Sequence, residues 1–423
     1  MNIQFKGGGF SNKGDEAMML TVQRELTKRL PWTDFFLETS TRQLERAYSC
    51  GLFPCVCNGS RLKRAFRFAG AYATDRDVRR ACRLSKIAAE GIARCSHVDG
   101  VIDFSGFNYS DEWGSERARR GLAWADYCNT HEKAYVCLPQ AWGPFEDSDV
   151  AEAVKALCLR SSLLYARDKV SWSFLSGLLG VDAHRVRIAP DIAFLFTGES
   201  PQAGHEALKA VGIDIKDSRL VGLAPNMRVY ERCRGVGAHN QYIQLMTKVA
   251  EHCIRAWDAS IILVPHQFSV GKFGRKDDRF LCGLIRVGVS DSDRCFAIRD
   301  YISAALAKAI EGHLDLMIGS RFHSCVFALS SGVPAVALGW AHKYPELMKS
   351  VGLSDNALVH TEFAEKRVLD LLDTAWENRA RSKAVIQEHL PEIMKGASRV
   401  FDDVAEVLGM HNSAASMIGP MVS

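Results

Sequence analysis

An arginine and a histidine stand two residues apart, Arg321 and His323, in the run LDLMIGSRFHSCVFALSSGVPAV at 314–336. A guanidinium is permanently charged and forks onto carboxylate or phosphate oxygens, and an imidazole exchanges a proton near neutral pH. Together they suit the binding of a small anion and proton transfer to it. The neighbouring residues say where the pair sits. A short apolar run ends at Gly319, and Phe322, Cys325, Val326 and Leu329 then recur at i, i+3, i+4 and i+7, one buried face of a helix. Gly332 and Pro334 stop that helix, and 335–338 reads as the next strand. The pair therefore lies at a strand-to-helix turn, where unpaired backbone N–H groups and the positive end of the helix dipole gather. An anion-handling enzyme is the first hypothesis. The plainer alternative is that Arg321 caps a nearby carbonyl and His323 only packs.

Other candidates occupy similar turns. Arg228, in APNMRVYER, follows a strand at 220–224, and a second arginine at a strand end can clamp the other end of a small dianion. Its plain reading is a surface loop residue beside Arg232 and Arg234. His266 ends the strand of VPHQF, with Asp277 and Asp278 beyond a Gly/Lys loop, and can bond a ligand or a carboxylate. It has no close set of partners of the kind a metal requires, so no metal site is expected. Near the start, SNKGDEA at 11–17 offers Asn12, Gly14 and Asp15, which helix capping alone would explain. The turns IDFSGFNYSD at 102–111 and LPQAWGPF at 138–145 supply Asp103 and Gln140. The glycines 7–9 do not form a dinucleotide fingerprint, and no Walker-type lysine loop occurs.

These turns need a scaffold, and the chain alternates to provide one. Strand-like runs at 3–5, 35–37, 98–104, 135–138, 163–166 and 186–188 are separated by helical patterns at 15–30, 150–159 and 169–179. A turn-rich run, TGESPQAGHEALKAVGID at 197–214, marks a boundary, after which strands at 220–224, 260–264, 295–298 and 314–318 alternate with helices at 242–257, 278–287, 302–310 and 322–331. Beyond Val359 only helices are expected, with Pro391 between the last two and a fraying tail from His411. Short strands alternating with helices predict parallel sheets. The expected organisation is α/β: two Rossmann-like domains, 1–200 and 215–410, facing across a cleft, with helices at the C-terminus.

Bulk properties narrow the class. The chain has 423 residues, beyond one comfortable core, and 47% hydrophobic and 24% charged residues describe an ordinary globular protein. Lys plus Arg total 53 against 49 Asp plus Glu, which gives no ground for a nucleic-acid partner. Thirteen cysteines, mostly single and within apolar stretches, fit buried thiols in a reducing compartment; Cys50, Cys55 and Cys57 lack the further ligands of a zinc site. The N-terminus lacks the features of a signal peptide, so the expectation is a cytoplasmic protein. The basic stretch 61–94, with Phe66, Phe68 and Tyr72 interleaved, reads as a solvated helix face, or as contact with an anionic membrane surface or a lipid-linked acceptor.

The ordered set SNKGDEA, VDGVIDFSG, LPQAWGPF, ARDKVSWSFLSGLLG with IAPDIAFLF, and MIGSRFHSCVFALSSGVPAVAL followed by Lys343 resembles the polysaccharide pyruvyl transferase family over residues 1–353. Ser105–Gly106 stands where many relatives carry Gly-Gly, and Trp340 where Tyr is more usual. The resemblance implies a fold like the GT-B glycosyltransferases, phosphoenolpyruvate as donor, a sugar as acceptor and a cyclic pyruvate ketal as product, with no redox cofactor and no metal. It implies a donor site of Arg321, the Phe322 backbone and His323, with Arg228, His266 and Lys343 as further candidates. Asn12, Asp15 and Gln140 are the acceptor candidates. His323 is the candidate acid, and Asp15 or Asp103 the base. Two rivals remain: a GT-B glycosyltransferase using a nucleotide sugar, which calls for a late glutamate near the Gly-x-Pro segment, and a non-catalytic sugar-binding relative, which would have lost its arginines.

Overall fold

The computed structural model describes residues 1–39, 43–55, 98–213, 219–269 and 276–417. The basic stretch 61–94 and Cys57 lie outside the described residues. The chain divides into two compact units, the first from the described parts of Met1–Phe10, Val22–Asp191 and Ser398–Ser423, the second from those of Ser11–Thr21 and Ile192–Ala397. Relative to the expected ranges 1–200 and 215–410, the segment Ser11–Thr21 goes with the second unit and the chain from Ser398 with the first.

In the first unit the strands are β1 Asn2–Lys6, β2 Asp34–Glu38, β3 Leu52–Cys55, β4 Gly100–Asp103, β5 Ala134–Gln140, β6 Leu163–Ala166 and β7 Val186–Ile188. They pair in parallel in the order β3-β2-β1-β4-β5-β6-β7. All seven residues of β5, AYVCLPQ, are buried, which is why this strand reads as one apolar run instead of an alternation. Helices α1 Lys13–Arg29, α2 Leu44–Ser49, α3 Ser115–Thr130, α4 Ser148–Arg160 and α5 Lys169–Leu179 follow strands of this sheet in the chain. Asp147 starts α4 by accepting from the Asp149 and Val150 amides, and Val150, Val154, Leu157 and Cys158 turn into the core.

The second unit begins with α6 Pro201–Ala210 and continues β8 Arg219–Ala224, α7 Met227–Tyr230, α8 Gln241–Trp257, β9 Ala259–Leu263, α9 Asp278–Gly288, β10 Cys295–Ala297 and α10 Ala304–Glu311. Then come β11 Leu316–Gly319, α11 Phe322–Ser330, β12 Ala335–Gly339, α12 Lys343–Ser350, β13 Ala357–Val359, α13 Glu365–Glu377 and α14 Arg379–Met417. The sheet is parallel, in the order β10-β9-β8-β11-β12-β13. Helix α8 is capped by Asn240 and buries Ile243, Met246, Val249, Cys253 and Trp257 on the sheet; each such side chain stabilises by roughly 2 kcal/mol. Trp257 stacks on Trp376 of α13 at 4.6 Å.

Two expectations are corrected. The boundary run 197–214 holds helix α6, whose Gly204 lies so close to α10 that a Cβ there would meet the Ala309 carbonyl oxygen at 2.5 Å. Pro391 does not separate two helices but lies inside α14, and the break falls at Asn378. The apolar stripe Ile386, Ile393, Ala397, Val400, Phe401, Val404 and Leu408 is buried on both sides of Pro391, so packing outweighs the one backbone bond that proline forfeits. Among the described residues no helix is long and apolar enough to cross a membrane.

In each sheet the chain builds outward one way and then returns to build the other, so the direction reverses between β1 and β4 and between β8 and β11. Ligands of open parallel sheets bind outside the carboxyl ends of the strands at such reversals.

Candidate active site

Strand ends β8 and β11 are adjacent, with Ala224 paired to Gly319. From β8 the chain turns through Asn226, whose Nδ2 donates to the Ser320 carbonyl at 2.7 Å and whose Oδ1 accepts from the Arg228 amide at 2.9 Å. From β11 it turns through Ser320 into Arg321, the N-cap of α11 in extended backbone, and the Ser324 hydroxyl donates back to the Arg321 carbonyl at 2.7 Å. The turn predicted from sequence is thus held by Asn226 from the turn after β8 and by Ser324 from the first turn of α11.

The Arg321 guanidinium lies side-on to Asp278 at the start of α9, Nε donating to Oδ2 at 2.8 Å and Nη2 to Oδ1 at 2.6 Å. Asp278 is fully buried and also accepts from the backbone amides of Gln267 at 2.9 Å, His266 at 3.3 Å and Met227 at 3.4 Å. Burial raises its carboxyl pKa, and the Arg321 charge and these donors pull it back. Burial also opposes the charge on Arg321, but Asp278 outweighs it and holds the guanidinium pKa above its ordinary value. The pair fixes the arginine while engaging only two of its nitrogens; Nη1 has no hydrogen-bond partner among the described residues.

One strand away, His266 follows β9 and is fully buried, its Nε2 2.5 Å from Oε1 of Glu311 at the end of α10. This is the carboxylate partner that the sequence left unnamed. Burial drives the His266 pKa well below its ordinary value, helped by the nearby charges of Arg321, His323 and Lys13, and burial drives that of Glu311 well above its own. His266 Nδ1 and Glu311 Oε2 are buried without hydrogen-bond partners among the described residues.

The N-terminal motif joins the same unit. Asn12 bridges Gln267 in antiparallel fashion, and the Lys13 amide donates to the His266 carbonyl at 2.9 Å. The Asn12 side chain caps α1 by accepting from the Gly14 amide at 2.8 Å and the Asp15 amide at 3.3 Å. A Cβ on Gly14 would fall 1.9 Å from His323 Nδ1, so the glycine is what lets the imidazole lie against the first turn of α1. Lys13 is buried, bonded to Glu16 at 2.5 Å and the Tyr301 hydroxyl at 2.6 Å, with its ammonium over the Tyr301 ring at 4.0 Å.

The remaining candidates are distributed as follows. Phe322 is buried edge-on to His323 and to Tyr344. The Lys343 ammonium lies 5.1 Å from the Trp340 ring and 5.4 Å from that of Phe322. Arg228 sits on the short α7 and is partly exposed, its Nη1 3.4 Å from Glu231. In the first unit, Asp103 ends β4 fully buried, accepting from Lys6 at 3.0 Å, the Ser105 hydroxyl at 2.5 Å, the Tyr135 hydroxyl at 2.7 Å, and Tyr109. Burial would raise its pKa, but Lys6 and these donors hold it below the ordinary carboxylate value, so Asp103 is bound into the fold and is a poor base. Gln140 ends β5 fully buried with neither amide atom hydrogen-bonded among the described residues.

The structure thus gathers Asn12, Asp15, Arg228, His266, Arg321, Phe322, His323 and Lys343 in the second unit and leaves Asp103 and Gln140 in the first. Sequence reasoning missed Lys13, Glu311 and the pairing of Asp278 with Arg321. Asp278 had a signal, being one of two adjacent acids before a helix. Glu311 had one too: an acid at the carboxyl end of a helix, where the dipole disfavours its charge.

Two Rossmann-like parallel sheets, with an arginine and a histidine at a helix amino end beside one reversal point, define a GT-B-like α/β protein. The chain matches the polysaccharide pyruvyl transferase family over residues 12–342 and belongs to that family of transferases. It is 23% identical over 269 residues to the amylovoran biosynthesis protein AmsJ of Erwinia amylovora, a match covering 61% of each chain and so less than two thirds of that relative. Among solved structures, the UDP-GlcNAc 2-epimerase of Neisseria meningitidis superposes with a TM-score of 0.57 at 10% identity, over 96% of this chain and 99% of the other. Anabaena Alr3699/HepE, solved with UDP and glucose, gives 0.55 at 13% identity, over 96% and 99%. These two likenesses concern the fold alone.

Proposed function

We propose that this protein moves the pyruvyl group of phosphoenolpyruvate onto two hydroxyls of a sugar in a polysaccharide or its lipid-linked precursor, forming a cyclic ketal. The observation that carries this reading is Arg321, fixed by Asp278 at the amino end of α11 with Nη1 left for a ligand, two residues from His323. Phosphoenolpyruvate presents a phosphate and a carboxylate on one three-carbon unit. Arg321, the Phe322 and His323 amides and the α11 dipole take one anionic end; Arg228 on the neighbouring strand end takes the other, with Lys343 and His266 as further contacts.

The chemistry needs one acid, one base and neutralised phosphate. His323 gives a proton to the terminal methylene, which makes C2 electrophilic. The first sugar hydroxyl adds at C2; the second then forms its own C–O bond there as the C2–O bond to phosphate breaks. Of the two hydroxyl protons, one restores His323 and one leaves with hydrogen phosphate. The arginines stabilise the charge that builds on the departing phosphate. Asp15, beside Gly14 on the first turn of α1, is the candidate base, with Asn12 and Gln140 as candidate acceptor contacts. The fully bonded Asp103 is the weaker candidate for the base. No step calls on a metal or redox cofactor.

The test is incubation with phosphoenolpyruvate and a panel of oligosaccharides. We expect phosphate release that requires a sugar, matched mole for mole by a sugar carrying one carboxyethylidene group. Phosphate release without any sugar, or consumption of a nucleotide sugar in its place, would overturn the proposal.

A further inference from the structure

His266 and Glu311 form a second buried pair under the donor site, and neither is explained by packing alone. The ring touches Phe327 at 5.4 Å between centroids, and its backbone carbonyl and amide are engaged by Lys13 and Asp278. The side-chain contact is a single short hydrogen bond of 2.5 Å between Nε2 and Glu311 Oε1, with both residues inaccessible to solvent. A ring nitrogen, Nδ1, is left over, buried and without a hydrogen-bond partner among the described residues. Leaving a buried ring nitrogen unpaired costs free energy, and a functional role is one of the reasons a fold bears that cost.

Which nitrogen carries the proton follows from the surroundings. Burial foremost, and then the positive charge of Arg321, His323 and Lys13, disfavours an added positive charge on His266, although Arg321 and Lys13 are themselves paired with Asp278 and Glu16 and the Asp278 carboxylate accepts from the His266 amide. Burial disfavours a carboxylate on Glu311, which is also the last residue of α10, where the helix dipole is negative; Lys308 opposes this only in part and gives a hydrogen bond to the Phe196 carbonyl at 2.6 Å. A carboxylate there is as poorly served as an imidazolium. The stable arrangement is a neutral acid donating to a neutral ring: the Glu311 O–H points at Nε2, which accepts, and the ring N–H is on Nδ1.

We infer that Glu311 is the positioning residue of the donor site, fixing His266 as the Nδ1–H tautomer so that a neutral N–H donor is presented to an oxygen of an anionic donor. This rests on the proposed phosphoenolpyruvate reading for the identity of that oxygen, but not for the tautomer. A neutral donor next to Arg321 adds a directed hydrogen bond without adding charge that His323 would have to share, leaving His323 the ring that titrates during turnover.

Two arms separate the inference from the reading beneath it. The ligand-free protein, labelled with 15N-histidine, should show one imidazole, absent in His266→Asn, with a protonated Nδ1 and an unprotonated, hydrogen-bonded Nε2 from about pH 5.5 to about pH 7.5, roughly one unit either side of a typical histidine pKa. An Nε2–H tautomer or an imidazolium would overturn the assignment. Calorimetric titration of phosphoenolpyruvate into Glu311→Gln, which still offers Nε2 a donor, should give affinity within about twofold of wild type. Glu311→Met, of similar volume with no donor, should lose about tenfold while its NMR signal drifts to mixed tautomers. Equal binding by Glu311→Met with the tautomer lost would also overturn it. If wild type binds no phosphoenolpyruvate but keeps the Nδ1–H tautomer, the functional reading fails and the positioning stands.

Discussion

Two buried polar clusters sit at strand carboxyl ends beside a sheet reversal, one in each unit, and they are wired differently. Around Asp103 in the first unit a lysine, a serine and two tyrosines converge until both carboxylate oxygens are served. Around Arg321 in the second unit the pairs Asp278–Arg321 and His266–Glu311 leave polar atoms over: Nη1 of Arg321, Nδ1 of His266, Oε2 of Glu311. A network satisfied by its own members stabilises a fold. One that is satisfied only in part fixes geometry and keeps polar atoms for something else. The contrast, with Arg321 at its centre, supports reading the second unit as the donor site and Asp103 as a structural carboxylate.

The sharpest way to break this contrast is at Arg321. Arg321→Ala should abolish phosphoenolpyruvate binding and, by stranding the buried Asp278 carboxylate, destabilise the protein by about 3 kcal/mol. Arg321→Ala with Asp278→Asn should recover most of the stability and none of the binding, because the amide no longer needs a counter-charge. Calorimetry and urea unfolding on the same samples separate the two roles. Recovery of both together would mean the arginine is only structural.

In the first unit the expectation reverses. Asp103→Asn should cost about 3 kcal/mol by leaving Lys6 without its carboxylate, yet turnover per folded molecule should hold. A folded but inactive Asp103→Asn would make Asp103, not Asp15, the stronger candidate for the base. At His323 the expected loss is in rate: His323→Asn should lower kcat by about a hundredfold with KM changed little. Gly14→Ala is a subtler version, since its new Cβ collides with the His323 ring and should cut kcat by about tenfold while leaving the helix start intact. A fall in donor affinity equal to the fall in rate in either variant would make His323 a binding residue.

The two clusters should also respond oppositely to pH. Asp103, with its pKa lowered in the fold, contributes stability above the ordinary carboxylate pKa that is lost as acid protonates it. Glu311, raised in the fold, binds a proton that the unfolded chain has released above about pH 4.5, so its contribution weakens as pH rises. Glu311→Gln should therefore gain stability over wild type between pH 5 and pH 7, by up to about 1.4 kcal/mol per pH unit. A difference that does not change with pH would mean Glu311 is ionised in the fold.

The parallel sheets were legible because buried strands read as unbroken apolar runs bounded by turn residues, and β6, β7 and α5 fall where those runs predict. The turn at Arg321 was legible too, since strand end, helix face and stop signal are contiguous. Its partners were not. Asp278 lies 43 residues before Arg321, and Glu311 lies 45 after His266. Only the strand order β10-β9-β8-β11 brings those ends together. The same holds for Lys13, which meets Tyr301 across 288 residues. Pro391 misled for the opposite reason: a strong local signal was outweighed by a long buried stripe.

The most direct test is to titrate phosphoenolpyruvate into wild type and into the Arg321→Ala, Asp278→Asn double variant, with both shown to be folded. Binding by wild type and none by the double variant is the predicted result. Equal binding by both, or none by wild type, would contradict a donor site built on Arg321.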